Sequence, residues 1–126
     1  MKAVLDTSVL IAAGLPRLAG ELAISAASLA ELHFGVLVTA DPAVRAGRLR
    51  RISDLQRRFD ALPVDEAVAA SYGQLAAAVA ATGRRPRSRV MDLLIAATAH
   101  AHSARLYTRN SQDLAGLERL LEIVPV

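Results

Sequence analysis

The sequence predicts an α/β fold in which a central parallel sheet of four to five strands is covered by helices on both faces. Short strand-like runs alternate with longer helix-like segments along the 126 residues, and parallel neighbours need such crossover connections. Apolar residues make up 53% of the chain but aromatic residues only 3%, so Ala, Val, Leu and Ile must build the core. We expect one domain spanning residues 1–126, because the chain contains no internal repeat or linker.

The first half of the chain predicts two strands and three helices. They are a strand at 3–5, a short helix at 7–13 ended by Gly14 and Pro16, a strand at 22–24, a helix capped by Ser25 or Ser28 that runs to about Thr39, and a helix that begins at Asp41. Asp41 followed by Pro42 is a strong helix start, because the Asp caps and the proline lacks only an N–H that would be unpaired anyway. This helix has one apolar stripe, which consists of Ile52, Leu55, Phe59 and Leu62.

The second half predicts three further strands and two helices. They are a strand at 62–64, a helix capped by Asp65 that ends near Thr82 and Gly83, a strongly apolar helix at about 89–103, a strand at 105–108 and a short strand at 122–124. Ligands of parallel sheets bind beyond the carboxyl ends of the strands. Asp6 lies at such an end, and Asn110 and Asp113 follow another.

The composition excludes several functions. Without cysteine, the chain has no disulfide, thiolate metal site or cysteine nucleophile. The net charge of +3, carried almost entirely by arginine, favours a polyanion or an acidic protein segment as partner. The longest uncharged stretch, residues 67–83, is too short and too polar for a membrane span, and Asp6 interrupts what would be a signal peptide. We therefore expect a soluble cytoplasmic protein.

Four acidic residues end or interrupt apolar runs, and they are Asp6, Glu31, Asp92 and Asp113. A carboxylate among buried residues loses hydration worth several kcal/mol unless a partner compensates. A shared divalent cation can compensate all four carboxylates. The sequence therefore indicates a metal site built from these acids.

Each acid also has a purely structural interpretation. Glu31 stands three residues after Ser28, which is the spacing of a capping box. Asp92 lies near the positive end of its predicted helix, which favours an acid. Asp6 can bond to the backbone two residues on as a turn residue, and Asp113 can cap a final helix.

The histidines do not form a comparable site. His100 and His102 are two residues apart on one helix, so they project about 200° apart and cannot hold one metal together. His33 is isolated, and no motif places a histidine near Ser8. Core or surface roles are therefore favoured for the histidines, and a serine hydrolase has little support.

Four segments in order resemble the motifs of the PIN domain: D-T-S-V-L-I-A after the first strand, A-E-L-H-F-G on the next long helix, M-D-L-L-I-A-A-T-A on a late helix and L-Y-T-R-N-S-Q-D-L after the following strand. More narrowly, the chain is similar to the VapC toxins of bacterial toxin–antitoxin pairs, including A-L-P-V-D-E-A-V-A between the second and third motifs. The resemblance covers essentially the whole length, and it implies a PIN-like three-layer sandwich.

The resemblance assigns roles to individual residues. Asp6, Glu31 and Asp92 match the acidic positions of the family's metal and catalytic site, and Asp113 is assigned as the fourth acid, although relatives also use the position of Asn110. Supporting polar roles fall on the remaining matched positions, which are Thr7, Ser8, Thr108 and Asn110. The segment between Asp6 and Glu31 is short for the family, and Leu114 stands where an aromatic residue is common.

Hard oxygen ligands suit Mg²⁺, with Mn²⁺ as a possible substitute, and such ions activate water for hydrolysis of a phosphodiester. The resemblance implies an endoribonuclease that leaves a 5′-phosphate, works as a homodimer and is inhibited by a VapB-like antitoxin. A group of loop arginines lies just before Asp92, and they are Arg84, Arg85, Arg87 and Arg89. Three roles are compatible with these arginines: contact with the RNA backbone, contact with an acidic antitoxin segment, or no partner other than solvent.

Rival classes lack required residues. A phosphorelay receiver needs a lysine near its fifth strand, but the only lysine is Lys2. A haloacid-type phosphatase needs D-x-D, but the chain reads Asp6, Thr7, Ser8. The remaining alternative is a catalytically inactive PIN-fold module that binds RNA or protein. All four acidic positions are filled, which favours the enzyme over that alternative.

Overall fold

The computed structural model describes residues 1–12 and 14–126, which form five strands and five α-helices. The strands are β1 (Lys2–Leu5), β2 (Glu21–Ser25), β3 (Asp60–Leu62), β4 (Arg105–Thr108) and β5 (Ile123–Pro125). The helices are α1 (Thr7–Leu10), α2 (Ala26–Leu37), α3 (Pro42–Arg58), α4 (Glu66–Ala81) and α5 (Val90–Ala101), with short 3₁₀ turns at Pro86–Arg89 and Ser111–Leu114. None of the helices in these described ranges combines the length and the apolar character needed to cross a bilayer.

The five strands form one sheet in the order β3-β2-β1-β4-β5, and every neighbouring pair is parallel. This confirms the predicted parallel sheet. Leu5 at the end of β1 pairs with Tyr107 of β4 on one side and with Ile24 of β2 on the other. Because the central strands end in register, Asp6 and Thr108 leave the sheet side by side.

Both faces of the sheet are covered, as the sequence predicts. Val4 and Leu106 face a core formed with apolar residues of α4 and α5. Leu5 and Tyr107 point to the opposite face, where the core includes residues of α1 and α3. Alternate residues of the same strands pack into the two cores, which explains why the strand sequences are continuously apolar.

Three helices begin at capping side chains, each contributing about 1 kcal/mol to helix stability. Asp41 accepts hydrogen bonds from two backbone N–H groups at the start of α3, and Asp65 accepts one from Val68 N in α4. Ser25 accepts from Ala27 N and caps α2. The predicted caps at Asp41 and Asp65 are confirmed, and of the two serines proposed for α2 the first is the cap.

Several predicted boundaries are wrong for identifiable reasons. The third strand ends at Leu62 instead of starting there, because Pro63 lacks the N–H that would continue the ladder. Leu62 therefore does not belong to the helical stripe. The first helix ends at Leu10 and not at residue 13, and the carbonyl of Leu10 accepts a hydrogen bond from Arg51 Nη2 at 3.1 Å. The predicted end of that helix, Ala13, lies outside the described residues.

Candidate functional site

Asp6 is a buried carboxylate at the centre of the carboxyl edge of the sheet, with only 7% of its surface exposed. Its Oδ2 accepts hydrogen bonds from Thr108 Oγ1 at 2.9 Å and from Ser8 Oγ at 2.6 Å. Although Asp6 precedes α1, its side chain does not cap that helix, and its partner is the Ser8 hydroxyl rather than the backbone. The interpretation of Asp6 as a simple turn residue is therefore wrong.

The two hydroxyls that bind Asp6 are themselves oriented by backbone N–H groups. Arg109 N donates to Ser8 Oγ at 3.0 Å, and Asn110 N donates to Thr108 Oγ1 at 3.0 Å. Because a carboxylate can only accept, each hydroxyl donates its proton to Asp6 while its oxygen accepts from the backbone. Asn110 thus supports the site through its backbone, while its side chain is exposed.

Glu31 is turned from α2 toward the start of α1. Thr7 Oγ1 donates to Glu31 Oε1 at 2.7 Å and lies 2.9 Å from Ser28 Oγ. The capping box predicted as an alternative is absent from the described residues, because α2 is capped by Ser25 and Ser28 is buried within the helix. Ser28 therefore has a role beside Glu31 that the sequence reasoning missed, although its spacing of three residues from Glu31 places both on one helix face.

Arg89 links the two remaining acids. Its Nη1 lies 2.9 Å from Asp113 Oδ1 and 3.8 Å from Asp92 Oδ2. Asp92 is in the first turn of α5, in agreement with the helix-dipole interpretation. Asp113 lies in the 3₁₀ turn Ser111–Leu114, and the described residues after it form no further helix that it could cap.

The four carboxylates form one electrostatic cluster. Burial raises the pKa of Asp92 above its ordinary value of 3.8, and the negative charges of Asp6, Glu31 and Asp113 raise it further, against the opposing effect of Arg89. The elements that carry these acids are far apart in sequence, yet all three carboxylates disfavour a charge on Asp92. Such a cluster is attractive to a cation.

The donor chemistry of this cluster fits a hard divalent cation, since it offers carboxylate and hydroxyl oxygens without sulfur. In residues 1–12 and 14–126, however, no three Asp, Glu, His or Cys side chains are placed so that they could hold one ion together. In this arrangement Asp113 is paired with Arg89. The ligand role of the four acids therefore stays a prediction, and it requires their side chains to move closer together.

The loop arginines fall into two groups. Arg84, Arg85 and Arg89 line a cavity of about 530 Å³ that also reaches Asp113. Arg87 is exposed and does not belong to that lining. Arg89 is thus held at the acids, whereas Arg84 and Arg85 lie at the flank of the cluster.

The histidines occupy the positions favoured by the sequence. His100 Nδ1 is hydrogen-bonded to Ser71 Oγ at 2.8 Å, which joins α5 to α4. His33 is exposed on α2. Neither residue belongs to the acidic cluster.

Comparisons with known proteins agree with this architecture. Residues 3–119 match the PIN domain profile. Ribonuclease VapC8 of Mycobacterium tuberculosis is 39% identical over 99 residues, which cover 75% of this chain and 88% of the relative. Ribonuclease VapC5 of the same organism is 36% identical over 121 residues, covering 91% of this chain and 87% of the relative.

A solved structure gives the same result. The crystal structure of VapBC-5 from Mycobacterium tuberculosis, described as a member of the VapBC family of toxin–antitoxin systems, contains a chain with 33% identity and a TM-score of 0.79. The match covers 99% of this chain and 98% of that chain. The protein therefore belongs to the PIN domain family, in the group of its VapC relatives, and the predicted resemblance and fold class are confirmed.

Proposed function

We propose that this protein is a divalent-metal-dependent endoribonuclease and the toxin of a VapBC-type toxin–antitoxin pair. The observation that carries the proposal is the cluster of four carboxylates at the carboxyl edge of the sheet, centred on buried Asp6. Relatives that share more than a third of their residues over most of this chain are named ribonucleases. A repulsive acidic cluster is costly for the fold, so its presence is best explained by a cation bound for chemistry.

The residues that would hold the metal are Asp6, Glu31, Asp92 and Asp113. Mg²⁺ is the preferred ion, with Mn²⁺ as a substitute, because the donors are hard oxygens. When bound, the ion lowers the pKa of a bound water and offsets negative charge on the phosphodiester.

The chain's own residues prepare this chemistry. Ser8 and Thr108 hold Asp6, and Thr7 holds Glu31, so two carboxylates are oriented before any ligand arrives. Hydrolysis at this edge needs no covalent intermediate, and we propose that it leaves a 5′-phosphate. Arg84 and Arg85 flank the acids and provide charge for the RNA backbone, with Arg87 as a further exposed contact.

The test is cleavage of a 5′-labelled single-stranded RNA during titration with Mg²⁺ or Mn²⁺. We expect cleavage that requires the ion, stops with a chelator, yields 5′-phosphate ends and is abolished in Asp92→Asn. Asp60→Asn is the matched control, because Asp60 is an exposed acid at the start of β3, the opposite end of that strand from the acidic edge. Full metal-dependent cleavage by Asp92→Asn would refute the site, and metal-dependent RNA binding without cleavage by the wild type would favour the inactive binding module.

An exposed apolar face on α2 supports a protein partner. Phe34, Leu37 and Val38 are 67%, 70% and 61% exposed, and their spacing places them on one side of the helix end. Such a face usually marks an interface. We propose that the protein forms a homodimer, which is the commonest way for identical chains to bury apolar surface. Light scattering over a range of concentrations tests this, and a monomeric mass throughout would refute the dimer.

The second proposed partner is a VapB-like antitoxin, since VapBC-5 belongs to a toxin–antitoxin family. An antitoxin segment that covers apolar helix surface can also bring a basic side chain to the acidic cluster. RNA cleavage should therefore fall when the product of the adjacent reading frame is added. Full cleavage activity within a stable complex would contradict this inhibition.

A further inference from the structure

A second cavity of about 740 Å³ opens on the other flank of the acidic cluster, between α1, α2 and α3. We call it the α3 pocket, and its lining includes Leu10, Glu31, Leu32, Arg48, Arg51 and Ile52. We propose that the α3 pocket binds one nucleotide of a single-stranded RNA next to the acidic cluster, with Arg48 and Arg51 holding a phosphate. This inference rests on the proposed function and assigns a role to two arginines that have none in the sequence-based predictions.

The two arginines are held in place before a ligand binds. Arg48 Nη1 donates to Gly35 O at 2.9 Å and to Thr39 Oγ1 at 2.6 Å. Arg51 Nη2 donates to Leu10 O at 3.1 Å. Each guanidinium therefore uses one nitrogen as an anchor, and its other nitrogens make no hydrogen bond within the described ranges. A fixed fork loses little side-chain entropy when it binds phosphate oxygens.

The α3 pocket is continuous with the acidic cluster. Thr7 and Glu31, which are hydrogen-bonded to each other, line it together with the arginines. On the opposite flank, the cavity of Arg84, Arg85 and Arg89 reaches Asp113. The acids thus lie between two basic cavities.

This alternation of charge suits a polyanion better than any single small ligand. A nucleic acid strand is repelled by the carboxylates where it must pass them, and basic groups on both sides offset that repulsion. A phosphate on each flank then fixes the strand across the acidic edge. The strand then runs from one basic cavity to the other across the acids.

The shape and walls of the α3 pocket fit a nucleotide. Its volume lies within the range of about 300–1,000 Å³ typical of small-ligand sites. Ile11, which is 69% exposed, and partly buried Leu32 provide apolar walls for the face of a base, while Arg48 and Arg51 provide charge at the rim. An apolar wall with two arginines matches one base and one phosphate.

The same helix offers a matched control. Arg50 and Arg57 line a separate shallow cavity with Ala46, Leu49 and Ser53 and do not belong to the α3 pocket. The double variant Arg50→Gln/Arg57→Gln removes the same charge from α3 as Arg48→Gln/Arg51→Gln. Any difference between the two double variants therefore reports position and not net charge.

The experiment measures binding of a fluorescent single-stranded RNA by anisotropy, in chelator so that no cleavage occurs. We expect Arg48→Gln/Arg51→Gln to weaken binding by about 10-fold or more and to reduce the salt slope by about 0.7, the value for one phosphate contact on a single strand. The control double variant should lose less than about 3-fold. Equal losses in the two double variants, or no loss in either, would overturn the inference.

Arg51 also anchors the end of α1, so the Arg51 change can affect folding. The single variant Arg48→Gln avoids this, because Arg48 is exposed, and it should still weaken binding by about 3-fold or more. RNA bound in an Arg48-dependent manner but never cleaved would remove the proposed nuclease function and leave the α3 pocket intact. Loss of antitoxin binding with unchanged RNA affinity would instead show that the α3 pocket is a protein-binding site, and the inference would fall.

Discussion

Replacing Thr108 by valine removes the hydroxyl that donates to Asp6 Oδ2 at 2.9 Å while it keeps the size and branching of the side chain. Thr108 has no exposed surface and Asp6 is 7% exposed, so water has little access to replace the lost donor. The variant therefore tests whether the buried carboxylate at the centre of the acidic edge depends on its hydroxyl partners.

The expected loss of stability follows from the hydrogen-bond partners of the Thr108 hydroxyl. A hydrogen bond to a charged group contributes about 1.5–3 kcal/mol to stability. Ser8 Oγ remains 2.6 Å from the same oxygen, so Asp6 is not left without a donor. Asn110 N loses its acceptor as well, but this residue is exposed and water can replace the bond. We expect a loss in the lower half of the range, about 1.5–2 kcal/mol.

Urea unfolding followed by circular dichroism measures this loss in the metal-free protein. With an m value of about 1–3 kcal/mol/M, the midpoint should fall by roughly 1 M. Thr98→Val is the matched control, because Thr98 is also fully buried but its hydroxyl has neutral partners, Leu94 O at 2.8 Å and Ser25 Oγ at 2.9 Å. That variant should cost about 1 kcal/mol. An equal or smaller cost for Thr108→Val would refute the view that the hydroxyl stabilises a buried charge.

Two further predictions concern the charges of the cluster. Because the pKa of Asp92 is raised above 3.8, its charged form is disfavoured in the folded protein, and this penalty is fully present above the raised pKa and lost as pH falls toward 3.8. Metal-free Asp92→Asn should thus be more stable than wild type at pH 7, and the advantage should vanish near pH 4. An advantage that grows on acidification in thermal unfolding would contradict this. Arg89→Gln removes the cation that binds Asp113, so Mn²⁺ affinity measured by calorimetry should increase by about 2- to 5-fold. Weaker Mn²⁺ binding would show instead that Arg89 supports the ion site.

Much of the fold follows from local sequence signals. Asp41 and Asp65 cap their helices because a short acidic side chain reaches the first free N–H groups without help from the rest of the fold. The end of α1 is different, because Gly14 and Pro16 predict an end at residue 13 whereas the helix ends at Leu10. The Leu10 carbonyl accepts a hydrogen bond from Arg51, which lies 41 residues away in sequence, so no local pattern contains this contact.

The same distinction applies to the site. Asp6 is placed at the carboxyl edge by the parallel sheet, which the alternation of strands and helices predicts. The choice between a capping role and a site role for Glu31 depends on Thr7, a tertiary partner 24 residues away. The ion pair of Arg89 with Asp113 likewise joins distant segments, and the role of Arg89 as an RNA contact stays a prediction.

The most direct test of the account is a crystal structure of the protein soaked in Mn²⁺, with anomalous scattering used to locate the ion. We expect an anomalous peak among Asp6, Glu31, Asp92 and Asp113, at about 2.0–2.2 Å from at least two carboxylate oxygens, with Arg89 displaced from Asp113. We expect no such peak in Asp92→Asn under the same conditions. The assignment of this acidic edge as the metal site would be contradicted if the wild-type protein cleaves RNA in solution but its crystal binds Mn²⁺ only elsewhere, with Arg89 still paired with Asp113.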